Sequence, residues 1–270
     1  KKEFLKLGLF LILLGLIKKF FIADQLGYLV DNAYAIGSPN PFIGLIFFPW
    51  QIYFDFSAYT DMALGLAYLF GISLPINFNA PYQAVSLTEF WRRWHITLSS
   101  FFRDFVYKAL GGNRNGAWGL SISLLSTFVL SGLWHGANWN FILWGAMNGL
   151  LVLIEKFLGL SQGRSFFYFL LTQIVIIFLW VIFRLPIEQV WDIISNSIVK
   201  FGGTNLTINI IGLVVVLCFF ATHRFDVLQN HKNFSERIPI NILTPVTVIT
   251  LVVGMVLAGG SSDKFIYFDF

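Results

Sequence analysis

Charge is scarce in this sequence. Of 270 residues, 18 are Lys or Arg and 14 are Asp or Glu, 12% in all, where about 25% is usual for a soluble protein. So few charges cannot cover the surface of a globule this size, which excludes a soluble domain. Cysteine is nearly absent too, with Cys218 alone, so a disulfide scaffold and a cysteine-based metal site are excluded. Cys218 lies in the apolar run 214–220 and is expected to be a small packed hydrophobe. No nucleophile elbow, P-loop, HExxH pair or dinucleotide fingerprint occurs. The histidine spacings match no short ligand motif, so neither a metal nor a tightly bound cofactor is expected. The small net charge of +4 makes nucleic acid a poor partner.

Apolar and aromatic residues are abundant: 57% of the chain is hydrophobic, with 31 Phe, 9 Trp and 9 Tyr. That content excludes disorder and fits long surfaces facing membrane lipids, with Trp and Tyr at headgroup level. A helix needs about 20 mostly apolar residues to cross a bilayer core. Stretches 4–17, 42–72, 118–133, 141–154, 166–183, 208–221 and 240–258 supply about seven such segments, helical because unpaired backbone amides cannot face lipid. The expected fold is therefore all-α and polytopic. Lys18 and Lys19 read as the basic flank of the first membrane helix. The 42–72 stretch, one long or broken helix, carries Asp55, Ser57, Thr60 and Asp61 within its span. Asp55 and Asp61 point away from each other on a helix, and Asp61 with Ser57 and Thr60 is expected to form a polar patch, structural or catalytic.

Residues 73–117 differ. Arg92, Arg93, Arg103, Lys108 and Arg114 stand against Glu89 and Asp104, which places this segment on the cytoplasmic side. The chain thus reads as one membrane domain, with helices in 1–72 and 118–270 around this segment. It opens on Lys1, Lys2 and Glu3 without a Met, and is expected to be the C-terminal part of a longer protein. Ser86 and Glu89 have the spacing of a capping box, and Gly111-Gly112 reads as a helix stop. On one helix over 87–110, Trp91, Trp94, Leu98, Phe101, Phe102 and Phe105 share a face, Arg92, Ser99 and Arg103 form its flank, and His95 lies at the border. Two readings stand: an interfacial amphipathic helix facing anionic lipid, or a basic entrance for a phosphate-bearing acyl donor.

Of the four histidines, His223 and His231 fall in the polar stretch 222–237 and read as solvated loop residues. His135 closes an uncharged segment just before the next begins. A polar residue at that depth points to function, and equally to a helix-end histidine bonded to a backbone carbonyl, with Gly136 as terminator.

Four strings resemble those of the membrane-bound O-acyltransferase family, in its alginate O-acetyltransferase-like branch. They are residues 53–63 (Tyr-Phe-Asp-Phe-Ser-Ala-Tyr-Thr-Asp-Met-Ala), 89–99 (Glu-Phe-Trp-Arg-Arg-Trp-His-Ile-Thr-Leu-Ser), 110–114 (Leu-Gly-Gly-Asn-Arg) and 133–136 (Leu-Trp-His-Gly). Residues 15–19 with 22–24, and 265–270, resemble the same branch. The resemblance implies that His135 matches the family's active-site histidine and His95 its second histidine, in a channel crossing the membrane. It also implies an acyl thioester co-substrate, acetyl-CoA or an acyl carrier, a polysaccharide acceptor, a periplasmic acetyltransferase partner and a bacterial inner-membrane location. On that reading Arg92, Arg93 and Arg103 hold donor phosphates, with Trp134, Asn138 and Asp61 as further substrate contacts. The competing reading is a transporter or channel using Asp55, Asp61 and His135.

Overall fold

The computed structural model describes residues 2–160, 165–202 and 205–257, and all of its regular structure is helical. The string 265–270 lies outside the described residues, as does the last residue of the 240–258 stretch. Helix α1 (Lys2–Leu16) runs into a π-helical stretch, Ile17–Ala23, and on into α2 (Asp24–Tyr34). Next come α3 (Phe42–Leu69), α4 (Leu87–Arg93), α5 (Ile96–Phe102) and a second π-helical stretch, Arg103–Tyr107. The chain continues through α6 (Gly116–His135), α7 (Trp139–Phe157), α8 (Phe166–Arg184), α9 (Ile187–Val199), α10 (Leu206–His223), α11 (Leu228–Arg237) and α12 (Ile240–Leu257).

Among the described residues, five helices are long and apolar enough to cross a membrane: α6, α7, α8, α10 and α12. The sequence reading counts about seven because it includes the α1 and α3 regions. As an α-helix α1 stops at 15 residues, and α3, 28 residues long with Pro49 inside, buries Asp55, Ser57, Thr60 and Asp61. Helices α10 and α12 keep most of their apolar side chains exposed, as lipid-facing helices do. Cys218 is exposed among them rather than packed, on a stretch of α10 where Val214 and Leu217 are exposed as well.

The chain divides into two compact units, 1–79 with 200–270, and 80–199. In the first unit α1 lies against α3 at two glycines: a Cβ on Gly65 would sit 2.6 Å from the Gly8 carbonyl oxygen. Small residues let membrane helices approach this closely. Around that crossing Leu7, Leu11, Leu64 and Tyr68 form a buried cluster.

The basic pair is not exposed as a basic flank would be. Lys18 and Lys19 are buried. Lys18 Nζ lies 2.7 Å from both Asp61 and Asp226, and Lys19 Nζ lies 2.8 Å from Asp24 and Asp55. Asp226 also accepts from the Tyr53 hydroxyl at 2.6 Å and pairs with His231 Nε2 at 3.0 Å. His223 and His231 are likewise buried rather than solvated, His223 packing edge-on against Tyr53 at 4.6 Å. Charges buried away from water need partners, and the 222–237 stretch supplies one of them, Asp226, by folding back on Lys18 and on Tyr53 of α3.

The second unit is built on the antiparallel pair α6 and α7. A Cβ on Gly132 would collide with the Phe141 carbonyl oxygen, and one on Gly145 with that of Phe128. The aromatic core beside this crossing holds Trp94, Trp144, Trp180 and Phe183.

Candidate active site

The local order of 84–96 follows from its polar residues. Ser86 Oγ accepts from the Glu89 amide at 3.1 Å, as an N-cap should. The Glu89 carboxylate returns to the Val85 amide at 2.9 Å, one residue before the cap. After Arg93 the helix stops. His95 has φ 41° and ψ 55°, a left-handed conformation that is uncommon for a residue with a side chain. The single helix expected over 87–110 is thus a pair, α4 and α5, followed by a π-helical turn. The expected aromatic face does not stay on one side: Trp94 and Phe102 are buried, whereas Phe101 and Phe105 are exposed. Strained backbone of this kind costs on the order of 1–3 kcal/mol and collects at functional sites.

The turn brings His95 to His135. The His95 ring lies 6.1 Å from the Trp134 indole, and the Trp134 indole lies 5.1 Å from the His135 ring. Both histidines are buried. His135 ends α6 and is walled by Phe183 at 5.1 Å and Trp144 at 5.4 Å, each edge-on. Trp180 joins the two sides, 4.8 Å from Trp94 and 6.0 Å from Trp144. Burial lowers the His95 pKa to about 4. Its imidazole is therefore neutral at neutral pH, able to accept a proton at one nitrogen and donate from the other. Because the folded pKa lies below the unfolded value of about 6.5, the unfolded chain takes up the proton first as pH falls, so His95 costs stability in acid between those values.

The basic flank lines a cavity of about 310 Å³ whose walls include Trp91, Phe102, Leu124 and Phe128 together with Arg92 and Arg103. Neither histidine is among its lining residues. Arg103 is also paired with Asp104 at 3.1 Å. Arg93 points elsewhere, held by the Glu89 carboxylate at 2.6 Å. Asn138 caps α7, its Oδ1 accepting from the Asn140 amide at 3.4 Å. Asp61 belongs to the first unit and is engaged by Lys18. Of the residues singled out from the sequence, then, His95, Trp134 and His135 meet, Arg92 and Arg103 share a cavity, and Arg93, Asn138 and Asp61 have other partners.

Trp144, Trp180 and Phe183 carry no sequence signal, since aromatics are common here. Asn148 does: it is a polar residue inside the uncharged run 141–154, it is fully buried, and its Oδ1 accepts from Trp91 Nε1 at 3.1 Å.

Residues 5–187 match the family model for MBOAT, the membrane-bound O-acyltransferase family. The chain is 39% identical over 229 residues to the "Probable alginate O-acetylase AlgI" of Pseudomonas aeruginosa, covering 78% of this chain and 44% of that protein. It is 40% identical over 190 residues to the "Peptidoglycan O-acetyltransferase" of Helicobacter pylori, covering 66% of this chain and 36% of that protein. It is 31% identical over 172 residues to the "Teichoic acid D-alanyltransferase" of Bacillus subtilis, covering 57% and 42%. The chain spans about half the length of the curated relatives it matches. With the match covering most of the chain, and its all-helical, multi-pass build in agreement, the chain belongs to the membrane-bound O-acyltransferase family.

Proposed function

We propose that this protein transfers a short acyl group, acetyl above all, from a cytoplasmic thioester to hydroxyls of an exported polysaccharide, across the inner membrane of a bacterium. The observation that carries this reading is the meeting of His95 and His135 at the Trp134 indole. An alcohol is a weak nucleophile at neutral pH, and histidine is the side chain best matched to take its proton during attack. His135 is the base. As the hydroxyl oxygen bonds to the thioester carbonyl carbon, its proton passes to His135. The carbon–sulfur bond then breaks, and the proton leaves with the thiolate as free thiol. His95, beside the basic segment, lines the donor end. Acceptors named for the relatives, alginate and peptidoglycan, support a glycan acceptor. The acyl group reaches it directly or through a periplasmic transferase.

Purified full-length protein in lipid vesicles, given a labelled acetyl thioester and a soluble glycan with and without that transferase, tests this. Label in ester linkage is the expected product. Failure to acylate any hydroxyl acceptor under both conditions overturns the proposal.

Arg92 and Arg103 hold the donor's phosphates in this scheme, and Arg can do so bidentately. Changing both to Gln is expected to raise the donor KM about tenfold, the scale of a lost hydrogen bond to a charged group, with kcat little changed. Raising the salt concentration should weaken donor binding to the parent and leave the double variant nearly unaffected. A donor titration at two ionic strengths reads both effects.

A further inference from the structure

We propose that Asn148 and Glu155 of α7 are positioning residues for acyl transfer, holding the His95-bearing segment in register with the helix that packs on His135. The inference rests on the functional reading above and adds to it.

Helix α4 has only seven residues, too few to be stable by itself. Its direction is set by what grips it. At its start Glu155, almost fully buried, accepts from the Leu87 amide at 2.9 Å and the Thr88 amide at 2.8 Å, and also bonds the Thr88 and Tyr168 hydroxyls. Further along α4, Asn148 takes the Trp91 indole N–H on Oδ1, while its own Nδ2 donates to the Trp144 carbonyl at 2.8 Å. Trp144 is one of the residues whose rings pack against His135. Residues 144, 148 and 155 recur at helical spacing and lie on one face of α7. That face therefore touches His135 at one point and grips α4 at two others.

The placement of Glu155 supports the assignment. It stands in the last turn of α7, where the negative end of its own helix disfavours a carboxylate. There it satisfies first-turn amides of α4 that the helix itself leaves unbonded. Beyond α4 the chain turns at once through the left-handed His95, so a slide or rotation of α4 passes directly to the imidazole.

The test uses full-length protein in lipid vesicles. Asn148→Leu and Glu155→Gln are each expected to lower kcat about 10- to 100-fold, since misplacement by about 1 Å can cost that much, with the donor KM within about twofold. Tyr168→Phe removes a hydrogen bond from the same carboxylate without touching α4, and should keep kcat within about twofold while costing comparable stability. Amide exchange at Leu87 and Thr88 should accelerate in Glu155→Gln and stay at the parental rate in Tyr168→Phe. Should Glu155→Gln fail to accumulate, Thr88→Val removes one bond from the α4 side and is expected to lower kcat about three- to tenfold. The inference is overturned if the Asn148 and Glu155 variants keep parental kcat, or if kcat merely follows thermal stability across all variants. His135→Ala run in parallel separates the two readings: parental activity there removes His135 as the base and with it the mechanism this inference rests on, whereas an inactive His135→Ala beside fully active Asn148 and Glu155 variants overturns only this one.

Discussion

Replacing His135 by alanine is expected to lower acyl transfer about 100- to 10,000-fold, the usual contribution of a general base, while protein abundance stays close to parental. The side chain ends α6 rather than filling the middle of its packing face. Its neighbours Trp144, Phe183 and Phe141 pack on one another as well as on it, so the wall has support without the imidazole. Acyl ester on the polymer in cells carrying the variant, set against membrane abundance by immunoblot, checks both halves. Near-parental ester content would remove His135 from the mechanism. His95→Ala is expected to lower transfer as well, and a donor titration should place part of its effect in KM, because His95 stands next to the arginine-bearing segment in sequence and fold.

The largest loss of stability is expected from Lys18→Met. The ammonium is buried and lies 2.7 Å from both Asp61 and Asp226. Its removal leaves two buried carboxylates without their shared cation, and breaking a buried pair from one side costs about 3–5 kcal/mol. Tyr53 and His231 still hold Asp226, so Asp61 becomes the more exposed to the loss. The double change Lys18→Met with Asp61→Asn should therefore recover part of the deficit, since it removes the stranded charge along with its partner. Thermal unfolding of the three proteins in one detergent reads the comparison. A Lys18→Met protein within about 1 kcal/mol of the parent would mean that the cluster contributes no more than an exposed ion pair does.

How legible these features were in the sequence depended on whether their physics is local. The membrane class followed from composition, and the Ser86 cap followed from a four-residue pattern. The His135 terminus was legible because an imidazole beside Gly136 interrupts an uncharged run. The break in the 87–110 segment was not legible, since periodicity assumes constant geometry and a left-handed residue at 95 resets the phase of everything after it. The polar stretch 222–237 misled for the opposite reason. Its polarity matches that of a solvated loop, and only its partners Lys18, in the π-helical stretch after α1, and Tyr53 of α3, both distant in sequence, reveal it as buried.

By itself the sequence determined the solvent of this protein and its family. Apolar runs of bilayer length leave a helix as the only backbone that satisfies its own amides in lipid, and short strings in a set order identify the family. The tertiary structure alone decided which polar groups meet. It joined His95 to His135 through Trp134, turned Lys18 and Lys19 from an expected interfacial flank into a buried ion network, and gave Arg93 to Glu89 instead of to the cavity. In a medium that supplies no water to an unpaired charge, partner choice is set by which groups folding brings within hydrogen-bond distance, and that distance has no local trace in the chain.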